Sequence, residues 1–202
     1  MSQWHEDLWA SVPADAVPER FATRRELLLR EVRSGQSVLD LGCGDGSFSA
    51  ELLSAGAEVT GVDVADEAIR RAKVRAPAAD LLKLDDRQPL PFGDDQFDLV
   101  WCGETLEHLV DPGAMIAEAR RVLKDGGLFL VTTPNQARLR VAFEALAGRP
   151  LEDRLDPRSD HLRFFTARTL KLMISDAGFH QVFVNSFGGL PLLRSSLLAS
   201  AR

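Results

Sequence analysis

"SVLDLGCGDGSF", Ser37 to Phe48, reads as a strand that ends in a glycine turn and passes straight into a helix. Val38, Leu39 and Leu41 favour a buried extended segment, and an apolar helical pattern begins just after the turn. Between the two, Gly42, Gly44 and Gly46 stand at alternate positions. Glycine has no Cβ, so such a turn lets the backbone come close to a ligand. A glycine turn between strand and helix usually cradles part of a nucleotide.

Charge decides which part. A dinucleotide fingerprint needs Gly-x-Gly-x-x-Gly, and the position three after Gly44 is Ser47. A pyrophosphate on the helix N-terminus would also meet Asp45, with Asp40 nearby, and Coulomb repulsion would offset the attraction of the helix end. The loop disfavours phosphate. It suits a nucleoside that carries positive charge instead, and S-adenosylmethionine, with its sulfonium and α-ammonium, is such a ligand.

Around this turn, strands and helices alternate. "SVLDL", "AEVTGVDV", "ADLLKL", "FDLVWC" and "GLFLVTTP" read as strands, with "SFSAELLSAG" and "DEAIRRAKVRA" as helices between the first three. A longer helix is punctuated by Asp111 as N-cap, Pro112 in its first turn and Gly126-Gly127 at its end. Alternation of this kind predicts an α/β doubly wound, Rossmann-like sheet with helices on both faces. "NQARLRVAFEALAG" looks helical, and "TARTLKLMISDAG" reads as a helix capped by Thr166 and stopped by Gly178. "FHQVFVNSF" and "SSLLASAR" are expected to pair as a final hairpin.

Ligands of such sheets bind beyond the carboxyl ends of the strands. Asp63 ends the second strand, where a carboxylate accepts the hydroxyls of a ribose. Asp85 or Asp86, just past the third, would accept from an adenine amino group. One acid alone could be a turn residue or a helix cap. Three at successive strand ends point to a shared site.

"VLDLGCGDGSF", "GVDV", "DRQPLPFGDDQFDLV", "ETLEHLVDP" and "RVLKDGGLFLVTTPN", in that order, resemble the consecutive motifs of the class I S-adenosylmethionine-dependent methyltransferases. The resemblance is strong over residues 37–134 and weaker through "HLRFFTARTLKLMISDAGF". It implies a seven-stranded sheet, mostly parallel with an antiparallel last strand, and S-adenosylmethionine as cofactor. Carried over by position, Gly42, Cys43, Gly44, Asp45 and Gly46, with Asp40 before them, form the loop at the amino-acid end, and Asp63 with Val64 meets the ribose. Asp86 matches the adenine position, with Asp85 as the alternative. Cys102 and Gly103 would offer backbone groups to the methionine moiety. An arginine in the helix before the first strand would reach the cofactor carboxylate, and Arg24 is assigned, with Arg25 second.

Three residues are candidates for a general base. Glu104 and His108 are expected on one helical face of "ETLEHL", and His161 lies in the segment "SDHLRFF". His108 reads first as a helix-terminal cap and only second as a base. The expected layout is one domain. It has an N-terminal helical lid (1–33), a cofactor core (37–134), a substrate-covering insertion (135–165) and a C-terminal helix with hairpin (166–202). Trp4, Trp9, Phe21, Phe143, Phe164 and Phe165 would line an acceptor pocket or fasten the lid.

Composition narrows the partners. Net charge is −6 across 202 residues, which lacks the basic footprint of a nucleic-acid binder. No apolar run approaches the ~20 residues of a membrane span, and the N-terminus has no apolar signal core. A cytoplasmic location follows as the expectation. The two cysteines and four histidines lack metal-ligand spacing, so no metal is expected. The expected activity is methyl transfer to an oxygen or nitrogen of a small molecule, by a monomer or homodimer. The competing classes are a MetW-like partner subunit without catalysis and a nicotinamide oxidoreductase.

Overall fold

The computed structural model describes residues 2–202 except 14, 86–87, 149–151, 153–155, 157–158 and 192. Its strands are β1 (Ser37–Leu41), β2 (Glu58–Asp63), β3 (Asp80–Lys83), β4 (Phe97–Gly103), β5 (Leu123–Pro134), β6 (Phe183–Phe187) and β7 (Ser196–Ala201). The helices are α1 (Ser2–Ser11), α2 (Phe21–Leu29), α3 (Ser47–Ser54), α4 (Asp66–Arg75), α5 (Pro112–Val122), α6 (Arg138–Ala147) and α7 (Ala167–Asp176). The strands form one seven-stranded sheet in the order β3-β2-β1-β4-β5-β7-β6. Pairs β1–β2, β1–β4 and β2–β3 are parallel, whereas β6 and β7 run antiparallel as the expected hairpin. No described helix is long and apolar enough to cross a membrane.

Two compact units emerge from the packing. Residues 1–103 with 118–130 form the first, and residues 104–117 with 131–202 form the second. In the first, β1 and β4 are almost wholly buried, as their unbroken apolar runs require. The chain steps outward from β1 to β2 and β3, then returns to place β4 on the other side of β1, with Asp40 opposite Trp101. That reversal of strand order sets the glycine turn after β1 beside the end of β4. It is the location where open α/β sheets bind ligands.

In the second unit, the helix signals behave as local chemistry predicts. Thr166 caps α7 by accepting from the Thr169 backbone N–H at 3.2 Å, and Thr169 Oγ1 accepts from the Thr166 backbone N–H at 2.9 Å. Asp111 Oδ1 accepts from the Ala114 N–H at 3.0 Å at the start of α5. Two expectations fail. Helix α5 ends at Val122 rather than at Gly126-Gly127, and those glycines lie inside β5. "ETLEHL" forms only a three-residue 3₁₀ turn, Leu106–His108, because Glu104 adopts φ 56°. Glu104 and His108 therefore share no helical face.

Candidate cofactor site

The turn after β1 is held by its neighbours. Gly42 and Cys43 both donate backbone N–H bonds to the Val62 carbonyl at 2.9 Å, which ties the turn to β2. Gly44 donates to Asp63 Oδ2 at 3.0 Å, while Asp63 Oδ1 accepts from Ala65 N–H at 3.0 Å. Asp63 thus fixes the distance between the glycine turn and the start of α4. Burial raises its pKa above the ordinary carboxylate value, against the lowering effect of those two amides. Val64 beside it is half-buried.

The other loop carboxylates have different surroundings. Asp45 does not stand as a bare charge facing the turn. Its Oδ1 accepts from the Ser47 N–H at 3.0 Å, and its Oδ2 pairs with Arg75 of α4, which also donates to Ser47 Oγ. The negative charge argued from sequence is therefore largely answered inside the protein at Asp45. What remains of it sits at Asp63, beside the turn. Asp40 is 2% exposed and accepts from Ser49 Oγ at 2.6 Å, below the turn rather than in it. Cys43 turns its thiol into a small core with Ile69, Ala72 and Leu81, so only its backbone belongs to the turn. Burial pushes that thiol up, well away from the thiolate form.

Burial also pushes Asp40 up to about 7, the Ser49 hydrogen bond opposing and the Asp63 charge reinforcing the shift. The folded state then keeps a proton that the unfolded chain, with an ordinary value near 4, gives up. Neutral Asp40 contributes its full stability at acid pH, and that contribution fades as pH rises through about 7. Urea denaturation of Asp40→Asn is expected to show a flatter stability profile between pH 5 and 8 than the parent, by on the order of a few kcal/mol. An unchanged slope would place the titration elsewhere.

Arg24 and Arg25 are sorted by direction. Arg24 is 3% exposed, with its guanidinium over the Phe48 ring at 4.6 Å and near Trp101 at 5.8 Å. Its Nη1 donates to the Glu19 carbonyl at 3.2 Å. A Cβ built on Gly103 would lie 2.4 Å from Arg24 Nη2, so the arginine reaches the end of β4 only because that residue is glycine. Arg25 turns outward and pairs with Glu51 at 2.5 Å. Cys102, ending the buried part of β4, is fully enclosed. Asp85 is exposed just after β3, and Asp86 lies outside the described residues.

The sequence suggested an N-terminal helical lid with Trp9 in it, but not the residues that meet at this turn. The Trp9 ring of α1 occupies the space beside Gly44, where an added Cβ would meet it at 2.7 Å. Helix α1 is fastened by Glu6, whose carboxylate accepts from the Asp66 and Glu67 N–H groups at 2.5 and 3.1 Å. Arg71 adds a bond to the Val12 carbonyl at 2.9 Å and lies over the Trp9 ring at 5.9 Å. Only the glutamate–helix-end pairing has a recognisable chemistry, and its partners are too far apart in sequence to be matched. Phe21 packs on Phe48 at 5.1 Å. Of the remaining aromatic candidates, Phe165 is buried, Phe143 and Phe164 are exposed, and the Trp4 side chain lies outside the described residues.

The candidate bases fall in the second unit. Glu104 N–H donates to the Thr132 carbonyl at 2.8 Å. His108 Nδ1 lies 2.9 Å from the carbonyl of Asp160, distant in sequence, rather than from a carbonyl at the end of its own turn. The His108 and His161 rings meet edge to face with centroids 5.0 Å apart. The histidines looked scattered along the chain, and the fold contradicts that for this pair. Glu107, which the sequence did not single out, is 1% exposed and accepts from Thr133 Oγ1 at 2.9 Å.

Residues 14–182 match the family model of the methyltransferase domain. A curated relative in Psychrobacter arcticus, named ubiquinone biosynthesis O-methyltransferase, is 33% identical over 174 residues. That match covers 82% of this chain, and the chain spans about two thirds (67%) of the relative's length. Among solved structures, a protein of Pyrococcus horikoshii superposes with TM-score 0.75 at 23% identity, covering 96% of this chain and 97% of that one. A S-adenosylmethionine-dependent methyltransferase of Archaeoglobus fulgidus gives TM-score 0.73 at 18% identity, with 92% and 94% covered.

Proposed function

The chain belongs to the S-adenosylmethionine-dependent methyltransferase family, and from that premise we propose that it methylates an oxygen of a small phenol-like acceptor. The observation that carries the cofactor half is the donor set at the switch point. A glycine-rich turn, the buried Asp40, the half-buried Asp63 and an inward arginine meet there, with no basic group offered to a diphosphate by the turn itself. These residues fit an adenosine joined to a zwitterionic amino acid. When bound, S-adenosylmethionine supplies a methyl group activated by its sulfonium.

The protein's own residues divide the remaining work. Gly42, Gly44 and Gly46 leave room for the amino-acid end. Asp63 accepts from the ribose hydroxyls with the lone pairs not used by Gly44 and Ala65, and Asp86, or Asp85 in its place, takes the adenine amino group. Arg24 answers the cofactor carboxylate. The Gly103 backbone and the Cys102 backbone line the methionine side. Asp40 and Asp45 support the turn from beneath rather than touching ligand. Holding nucleophile and methyl in line supplies on the order of 7–11 kcal/mol of barrier lowering.

An oxygen acceptor also has to lose a proton. The cluster of Glu107, His108 and His161 is the group suited to take it, which contributes roughly 10²–10⁴-fold. The O-methyltransferase name of the Psychrobacter relative supports oxygen over nitrogen. His161→Ala is expected to keep cofactor affinity within error of the parent and to lower turnover by about 10²–10⁴-fold. The check is formation of S-adenosylhomocysteine over a panel of catechols, phenols and amines, with calorimetry for the cofactor. Equal turnover in mutant and parent would remove His161 from the reaction. Cofactor binding with no turnover on any acceptor would assign the chain to the non-catalytic partner class.

A further inference from the structure

Among the described residues, one group of side chains has the composition of a metal centre. Candidate ligand atoms of Glu107, His108 and His161 all lie within 4.8 Å of one another. All three belong to the second compact unit. Two of the three are oriented by a neighbour. Thr133 Oγ1 donates to Glu107 Oε2 at 2.9 Å. The Asp160 carbonyl, 2.9 Å from His108 Nδ1, can only accept, so Nδ1 is the donor and Nε2 is the nitrogen assigned to the cation. Ligating histidines are typically held by such a bond from their other nitrogen to a carbonyl.

The backbone joins the two halves of the cluster. The Glu107 carbonyl accepts from both Leu162 and Arg163 N–H groups, at 2.8 and 3.0 Å. The segment carrying His161 is thereby stapled to the turn carrying Glu107 and His108. Two aromatic nitrogens and one carboxylate are brought to one point by main-chain bonds that do not depend on any ion.

We propose that Glu107, His108 and His161 form a binding site for a divalent transition-metal cation of the zinc class. Two imidazoles with one carboxylate match zinc, cobalt or iron(II), whereas magnesium and calcium call for oxygen donors throughout. Bonds of about 2.0–2.2 Å require the donor atoms to draw in from their present spread. The His161 side chain, 33% exposed, has the freedom to make that movement. Three protein ligands leave a coordination position open for water or for an acceptor oxygen. With a cation bound, the three side chains would act as ligands instead of as the base, and a bound O–H would break heterolytically, the electron pair staying on oxygen and the proton leaving to solvent. This last role rests on the proposed acceptor chemistry. The site itself does not.

Titration of the chelator-treated full chain with Co²⁺, followed by visible absorption and by competition with Zn²⁺, tests the proposal. One Co²⁺ per chain is expected, with the intense bands of four- or five-fold coordination. His161→Ala and His108→Ala should each weaken binding at least tenfold while cofactor affinity stays at the parent value. Glu107→Gln should do the same. If that buried change prevents folding, the half-exposed His161 decides the matter alone. Absence of saturable binding, or parent-like Co²⁺ affinity in His161→Ala, would overturn the site. Loss of cofactor binding by the parent, with Co²⁺ binding intact, would instead sink the methyl-donor assignment and leave the metal site standing.

Discussion

Gly46→Ala is expected to destabilise the fold by about 2–5 kcal/mol, read as a lower urea midpoint with unchanged slope. Two costs add. Gly46 has φ 79°, and an L-residue in that left-handed region costs about 1–2 kcal/mol. The new Cβ would also lie 2.9 Å from the Ala72 Cα and 3.0 Å from its Cβ. Those atoms belong to α4, so a helix rather than a side chain has to yield, at about 1–3 kcal/mol. Gly126→Ala separates the two costs. Gly126 has φ 74° with nothing within 4 Å of an added Cβ, so it should show the backbone cost alone. Equal losses in the two variants would mean that α4 does not press on the turn.

Asp63→Ala is expected to lower affinity for S-adenosylmethionine by about ten- to hundredfold or more. Hydrogen bonds to a charged acceptor are worth about 1.5–3 kcal/mol each, and one such bond to a ribose hydroxyl already accounts for that range. The truncation also frees Gly44 N–H and Ala65 N–H, so the turn loses its tie to the start of α4. Asp63→Asn should not rescue binding. An amide has a single acceptor oxygen, and one of the two backbone donors would then face an NH₂ group. Calorimetric titration of both variants with S-adenosylmethionine and S-adenosylhomocysteine is the measurement. Parent-like affinity in either variant would remove Asp63 from the ribose.

The legible parts of this molecule are those governed by short-range pattern. The apolar runs of β1 and β4, the Thr166 and Asp111 caps and the C-terminal hairpin follow from spacing within a few residues. The glycine turn was legible because the backbone takes positive φ at Gly42, Gly44 and Gly46, whereas the ligand role of Asp63 is a proposal from its place at a strand end. Charge was only half legible. Asp45 looks like a free carboxylate until Arg75, on the next helix, is seen to neutralise it. The end of α5 was misread because glycines commonly stop helices, yet Gly126 and Gly127 sit in the strand that follows. Glu6 capping α4, Trp9 against Gly44 and the meeting of His108 with His161 all join residues distant in sequence. No periodicity carries such pairings, because tertiary packing alone creates them.

The most direct trial is a calorimetric comparison of three ligands on the parent chain: S-adenosylmethionine, S-adenosylhomocysteine and NADH. Saturable binding of the first two, near one per chain, with no heat from the dinucleotide, is the predicted result. Saturable binding of NADH with silence from both sulfur nucleosides would contradict it, because the glycine turn and the Asp63 carboxylate beside it would then be accommodating the diphosphate they are argued to turn away.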